Sequence, residues 1–127
     1  MKSQKKGAER RAQPRFDVAL PLRIGTDDFQ FATDTKNLSS SGIYCSVDRF
    51  VPVMTKLSLK LRIPLIEKNR KVEKGVDCQA VVVRISPESA QAQSQPYQVG
   101  LFFTQIEDDD RQLINQYLRQ AFFAGSN

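Results

Sequence analysis

The stretch YQVGLFFTQIEDDDRQLINQYLRQAFF, residues 97–123, changes period halfway along, and that change decides the fold. In its first seven residues Tyr97, Val99, Leu101 and Phe103 alternate with Gln98, Gly100 and Phe102, the period of a strand with one face buried. After Phe103 apolar residues recur at every fourth position: Leu113, Tyr117 and Ala121 in one row, Ile114, Leu118 and Phe122 in the next. Such a stripe predicts an amphipathic helix from about Asp109 to Phe123, packed through Leu113, Ile114, Tyr117, Leu118 and Phe122. Asp108 or Asp109 is placed to cap it, with the remaining acids at the positive end of its dipole. Phe123 is left without an obvious use in the stripe.

Everything upstream keeps the period of two. Phe16, Val18, Leu20, Leu22 and Ile24 alternate with Asp17, Ala19, Pro21 and Arg23, a first strand in which Pro21 calls for an edge position or a bulge. Gly25 to Asp28 reads as a turn and Phe29 to about Thr35 as a second, weaker strand. Asn37 to Gly42 reads as a further turn leading into a third strand through Ile43, Cys45 and Val47. Leu57, Leu59, Leu61 and Ile63 mark a fourth strand, and the polar stretch Glu67 to Gly75 is expected to be a connection. Val76 to Ile85, apolar at almost every position, reads as a central, well-covered strand. Ser86 to Pro96 is a loop. Six strands followed by one helix, with no crossover helices between them, predict a mainly β chain. The economical form is a six-stranded antiparallel barrel, closed or nearly closed, with the C-terminal helix over one opening or flank.

Composition narrows the function. A chain of 127 residues holds one ordinary domain, and 40% apolar residues are enough for a core. No run of 18 apolar residues is present to span a membrane, and the charged N-terminus is not followed by an apolar segment, so the expected compartment is the cytoplasm. With no histidine and two cysteines, Cys45 and Cys78, a zinc site and a Ser-His or Cys-His nucleophile are not expected. The acidic run Glu107 to Asp110 is explained by the helix start, so the chain reads as a non-enzyme. Charge is unevenly placed. Residues 1–15 carry Lys2, Lys5, Lys6, Arg10, Arg11 and Arg15 against Glu9 alone, which accounts for the whole net charge of +5. An arm of that kind points to an anionic partner.

Two segments are suited to such a partner. Arg10, Arg11 and Arg15 precede the first strand, and Pro14 biases Gln13 toward an extended conformation, so the arginines belong to a bent arm. Guanidinium groups hold phosphate oxygens in a planar fork and stack on purines. In the second segment Asn37 offers an amide to a base edge, Ser39 a hydroxyl, and Gly42 either positive φ or close approach of a ligand to the backbone. Read singly, these are a solvated tail and an ordinary turn.

Together, Arg11-Ala12-Gln13-Pro14-Arg15 and Asn37-Leu38-Ser39-Ser40-Ser41-Gly42 resemble the two motifs of the PilZ family of bacterial cyclic di-GMP receptors: Arg, three residues, Arg, then Asp or Asn, one residue, Ser, two residues, Gly. The resemblance extends over roughly Arg10 to Phe123. It implies a receptor domain at 10–123, while residues 1–9, which lack apolar periodicity, read as a flexible basic arm and 124–127 as a short tail. It implies that cyclic di-GMP is the ligand and that no cofactor or metal is needed. Arg11 and Arg15 would then clamp phosphates and guanines, Asn37 would meet a guanine edge, Ser39 would touch phosphate or base, and Gly42 matches the family glycine, with these side chains at the rim of the barrel and not in its core. Arg10 would extend the first motif toward a second, intercalated nucleotide, and Arg84 is a further candidate at the same rim. The arm is expected to be mobile without ligand and to fold onto the barrel with it, passing the signal to an effector protein. The rival readings are a barrel of the same fold that works through protein contacts alone and a nucleic-acid-binding barrel. The second fits poorly with a neutral body and no row of exposed aromatics.

Overall fold

A computed structural model describes residues 14–89 and 96–123. Six strands, β1 (Pro21–Gly25), β2 (Gln30–Leu38), β3 (Gly42–Val47), β4 (Lys56–Glu67), β5 (Arg70–Ser86) and β6 (Tyr97–Gln105), precede one helix, α1 (Asp108–Phe123). Every pairing is antiparallel, and the order β1-β2-β3-β6-β5-β4 closes on itself, so the expected barrel is present and closed. Alternation does what the period requires. Leu22 and Ile24, Ile43, Cys45 and Val47, and Leu57 to Leu65 at every second position point inward and are buried. α1 packs on β4 and β5 and buries Ile114 and Leu118, with Leu113 and Tyr117 partly buried against the core. Its last turn departs from the expected stripe. Phe122 remains 43% exposed and lies against Phe16, with ring centroids 4.6 Å apart.

Several boundaries differ from the sequence-based expectation. The first strand does not run unbroken from Phe16. β1 begins at Pro21, whose missing N–H is harmless at a strand's first residue. Before it, the chain still tracks β2, and the Thr35 hydroxyl fills the break by accepting from Leu20 N and donating to the Val18 carbonyl. β2 reaches Leu38, so Asn37 and Leu38 are strand residues and the turn is reduced to Ser39–Ser41. The polar stretch Glu67 to Gly75 is mostly not a connection. β4 and β5 form one long hairpin whose turn, Lys68-Asn69, has φ of 51° and 64°. Near the turn this hairpin carries polar residues because much of it is open to water, so no apolar alternation announces it. β5 is also less covered than expected. A register shift between Val82 and Arg84 turns Val83 and Arg84 both outward. α1 starts at Asp108, which puts Asp108, Asp109 and Asp110 in its first turn rather than at the cap.

Candidate functional site

The turn between β2 and β3 is built by one side chain. The Ser39 hydroxyl accepts from the backbone N–H groups of Ser41 (3.1 Å) and Gly42 (3.2 Å), while Ser39 N donates to the Gly42 carbonyl at 3.0 Å. The Ser39 and Ser41 hydroxyls share a hydrogen bond of 3.1 Å. Ser39 is therefore buried, at 1% exposure, and does not stand at the rim as expected. The reason is local: a hydroxyl one atom from the chain satisfies two turn donors better than water does. The Ser41 carbonyl accepts from Phe103 N on β6 at 3.0 Å, and Arg111 of α1 donates to the Ser40 carbonyl.

Gly42 opens β3, and the freedom it uses is not the one expected of it. No glycine among the described residues has positive φ. A Cβ here would stand 2.1 Å from the Leu101 carbonyl oxygen, so the close approach that requires glycine is already made by β6.

Phe16 and Leu38 exchange both backbone hydrogen bonds, at 2.9 and 3.0 Å. In that antiparallel bridge Arg15 is the residue opposite Ser39, so the second arginine of the first motif is pinned beside the second motif. Its side chain is exposed, and no ion pair among the described residues engages it. Phe122 and Phe123 back the bridge by packing on the Phe16 ring, at 4.6 and 5.9 Å between centroids. Arg10 and Arg11 lie outside the described residues.

Asn37 sits at a register shift in β2 and pairs with Tyr44. Its Oδ1 is buried and has no hydrogen-bond partner among the described residues. An acceptor in that state costs free energy until a donor reaches it. Tyr44 pairs with Gly100, and Gly100 with Arg84, so Asn37, Tyr44, Gly100 and Arg84 form one row across β2, β3, β6 and β5. The Arg84 guanidinium lies over the Tyr44 ring, 5.8 Å from its centroid. With no side chain at Gly100, nothing rises between them. Beside this row, Phe102 pairs with Gly42 and is 51% exposed. The barrel wall thus presents two aromatic rings and a guanidinium, with the buried Asn37 acceptor in the same row, a set that matches a flat, anionic ligand.

Sequence reasoning missed Tyr44, Phe102 and Arg111. Tyr44 and Phe102 read as the outward residues of ordinary strands, and only the register shows that they flank the motif. Arg111 meets Ser40 across 71 positions, which no local pattern encodes. The cysteines take no part. Both are buried, and burial pushes each thiol up to about 12, with Asp110 and Asp77 adding to the effect at Cys78. No group of His, Cys, Asp or Glu able to hold a metal ion occurs among the described residues. No helix among them is long and apolar enough to cross a membrane.

Comparison with known proteins gives this arrangement a family. The model of the PilZ domain matches residues 9–120. Among curated protein sequences none matches this chain. Among solved structures, the Bacillus subtilis inhibitor of motility MotI/DgrA is similar, with 25% identity over 88% of this chain and a TM-score of 0.66. The K. pneumoniae MrkH–c-di-GMP complex has 18% identity over 92% of the chain, with a TM-score of 0.60. This chain spans about half the length of both, 51% and 54% respectively. The PilZ domain of Escherichia coli YcgR, solved with c-di-GMP, has 13% identity and a TM-score of 0.57, with 93% of this chain and 98% of that domain covered. A family match over nearly the whole chain, on the closed six-stranded barrel with its C-terminal helix, is decisive: the chain belongs to the PilZ domain family, a family of cyclic di-GMP receptor and adaptor modules.

Proposed function

We propose that this chain is itself a cyclic di-GMP receptor, holding the dinucleotide between an arginine arm and the outer wall of the barrel. The observation that supports the reading is the Phe16–Leu38 bridge, which sets Arg15, the one described arginine of the first motif, opposite Ser39 of the second. Arg10, Arg11 and Arg15 supply phosphate pairing and guanine stacking from the arm. Asn37, whose Oδ1 has no partner, accepts from the N–H edge of a guanine. Tyr44, Phe102 and Arg84 supply the stacking wall. Ser39 and Gly42 act by shaping the turn, through the hydroxyl bonds of the one and the missing Cβ of the other. In this reading residues 1–9 form the outer part of the arm, residues 10–123 the receptor domain and residues 124–127 a tail. The arm closes when ligand arrives, and an effector protein in the cytoplasm reads the change. Two relatives of the same fold were solved with c-di-GMP, which supports the ligand class.

Calorimetric titration of the purified chain with cyclic di-GMP tests the proposal. Saturable binding is expected, with linear guanine nucleotides competing poorly. A charged hydrogen bond is worth about 1.5–3 kcal/mol, so Arg15→Ala should weaken binding roughly ten- to a hundredfold. Arg11→Ala should cost less, because Arg10 stands beside it. Asn37→Ala should reduce both affinity and the preference for guanine over adenine. A folded wild-type chain with no heat and no chemical-shift change on adding ligand would overturn the receptor reading in favour of a protein-interaction module.

A further inference from the structure

We propose that Arg111 is a positioning residue for the Ser39–Ser41 turn, and that through it α1 senses occupancy of the site. This inference rests on the receptor reading above.

The turn is tied from two sides. The Ser39 hydroxyl binds Ser41 N and Gly42 N, Ser39 N donates to the Gly42 carbonyl, and the Ser41 carbonyl accepts from Phe103 N. These bonds lie within the barrel wall and move with it. The bond from Arg111 Nη1 to the Ser40 carbonyl comes instead from α1. Arg111 starts from a fixed base, since its own N–H donates to the Glu107 carbonyl at 2.9 Å in the first helical turn. A charged donor on a turn carbonyl is among the stronger single hydrogen bonds available to a protein. Here it holds the segment whose flanks are Asn37, Ser39 and Gly42.

The other end of the same helix touches the other half of the site. Phe122 and Phe123 pack on Phe16, the neighbour of Arg15 and the residue bridged to Leu38. A single helix of 16 residues thus contacts the turn near its first residue and the arginine segment near its last. Linkage then has a definite consequence. If Arg111 favours the turn geometry that binds ligand, bound ligand must favour the docked α1 by the same factor. α1 responds to a molecule that touches only the barrel wall and the arm.

Amide hydrogen exchange, read residue by residue with and without cyclic di-GMP, tests this in the whole chain with three variants. Arg111→Met keeps the stem and removes the donors, Arg111→Lys keeps one charged donor, and Arg111→Ala removes both stem and charge. Without ligand, Arg111→Met should speed exchange at Ser41 and Gly42 while core amides such as those of Val99 and Leu101 keep their protection. Cyclic di-GMP should slow exchange in the first turns of α1 in the wild type and not in Arg111→Met. Removing one charged donor should weaken binding roughly tenfold, and Arg111→Lys should recover part of the loss. A purely structural role would lower the melting temperature of Arg111→Met and leave its dissociation constant and its α1 response unchanged, and that result would overturn the proposal. Should the Met and Ala variants not fold, the Lys variant carries the same comparison. If the wild type binds no cyclic di-GMP, the receptor reading falls, and unaltered exchange at Ser41 and Gly42 in ligand-free Arg111→Met separately rules out the positioning role.

Discussion

At Gly42 the sequence motif and the fold demand the same residue for a reason that precedes any ligand. The Leu101 carbonyl stands where a Cβ would be, and it belongs to backbone in the middle of β6. Gly42→Ala must therefore push β3 away from β6, and overpacking of that kind costs about 1–3 kcal/mol. The urea midpoint should fall accordingly, and an unchanged midpoint would mean that the two strands part without cost. Ser39→Ala removes the acceptor of two turn N–H groups at a buried position, a loss of about 1–3 kcal/mol. Weaker nucleotide binding by that variant then reports a deformed turn, not a lost ligand contact. Cys45 and Cys78 permit a prediction in pH. Burial raises both thiols from 9.0 to about 12, so the folded state keeps protons that the unfolded state releases. Where the unfolded chain binds fewer protons, stability falls as pH rises. The decline should begin near pH 9 and flatten near pH 12, and a Cys45→Ser, Cys78→Ser chain should show less of it in pH-dependent unfolding. Equal slopes for the two chains would assign the alkaline loss to other groups.

At the scale of elements, β4 shows how the barrel manages an edge. β1 pairs only with Ser58 to Leu61, whereas β4 continues to Glu67, and among the described residues its far half has no neighbouring strand on that side. The Gln120 carboxamide takes the strand's place at Ile66, accepting from its N–H and donating to its carbonyl, each at 2.9 Å. Pro64, two residues earlier on the same side, has no N–H to offer. Gln120→Ala should speed exchange of the Ile66 amide severalfold and lower stability by about 1 kcal/mol, and unaltered exchange there would show that water serves as well as Gln120. None of this was legible in the sequence, because the expected fourth strand stopped at Ile63, before Pro64, while Leu65 continues its inward alternation and only Glu67 onward is polar. What was legible is what the core enforces: inward residues at every second position within the strands, then the change of period before α1. Strand ends were lost wherever both faces meet water, as at Lys71 to Gly75, or where a turn residue doubles as a strand residue, as at Asn37.

For the whole molecule, charge and core divide the chain at nearly the same point. All the described buried core residues lie at or after Leu20, and the net +5 belongs to residues 1–15. The two motifs of the candidate site were legible as strings, because each is local. The place of Arg15 beside the second motif, the aromatic wall and the tie to α1 were not, because they depend on register and on a contact between residues 40 and 111. This division predicts that the barrel does not need its arm to fold, while the site does need it to bind. Deleting residues 1–14 leaves Arg15, the Phe16–Leu38 bridge and the Phe16–Phe122 contact in place. The shortened chain should lose less than about 1 kcal/mol, which for a domain of this size is a shift of only a few degrees in melting temperature. Cyclic di-GMP should by contrast bind at least roughly a hundredfold more weakly, since two arginines and their charged hydrogen bonds are gone. Calorimetry and thermal unfolding on the same two samples separate the outcomes. A shortened chain that binds like the wild type would move the site onto the barrel wall alone, with Arg15 and Arg84 as its cations. One that fails to fold would show that residues before Arg15 belong to the core.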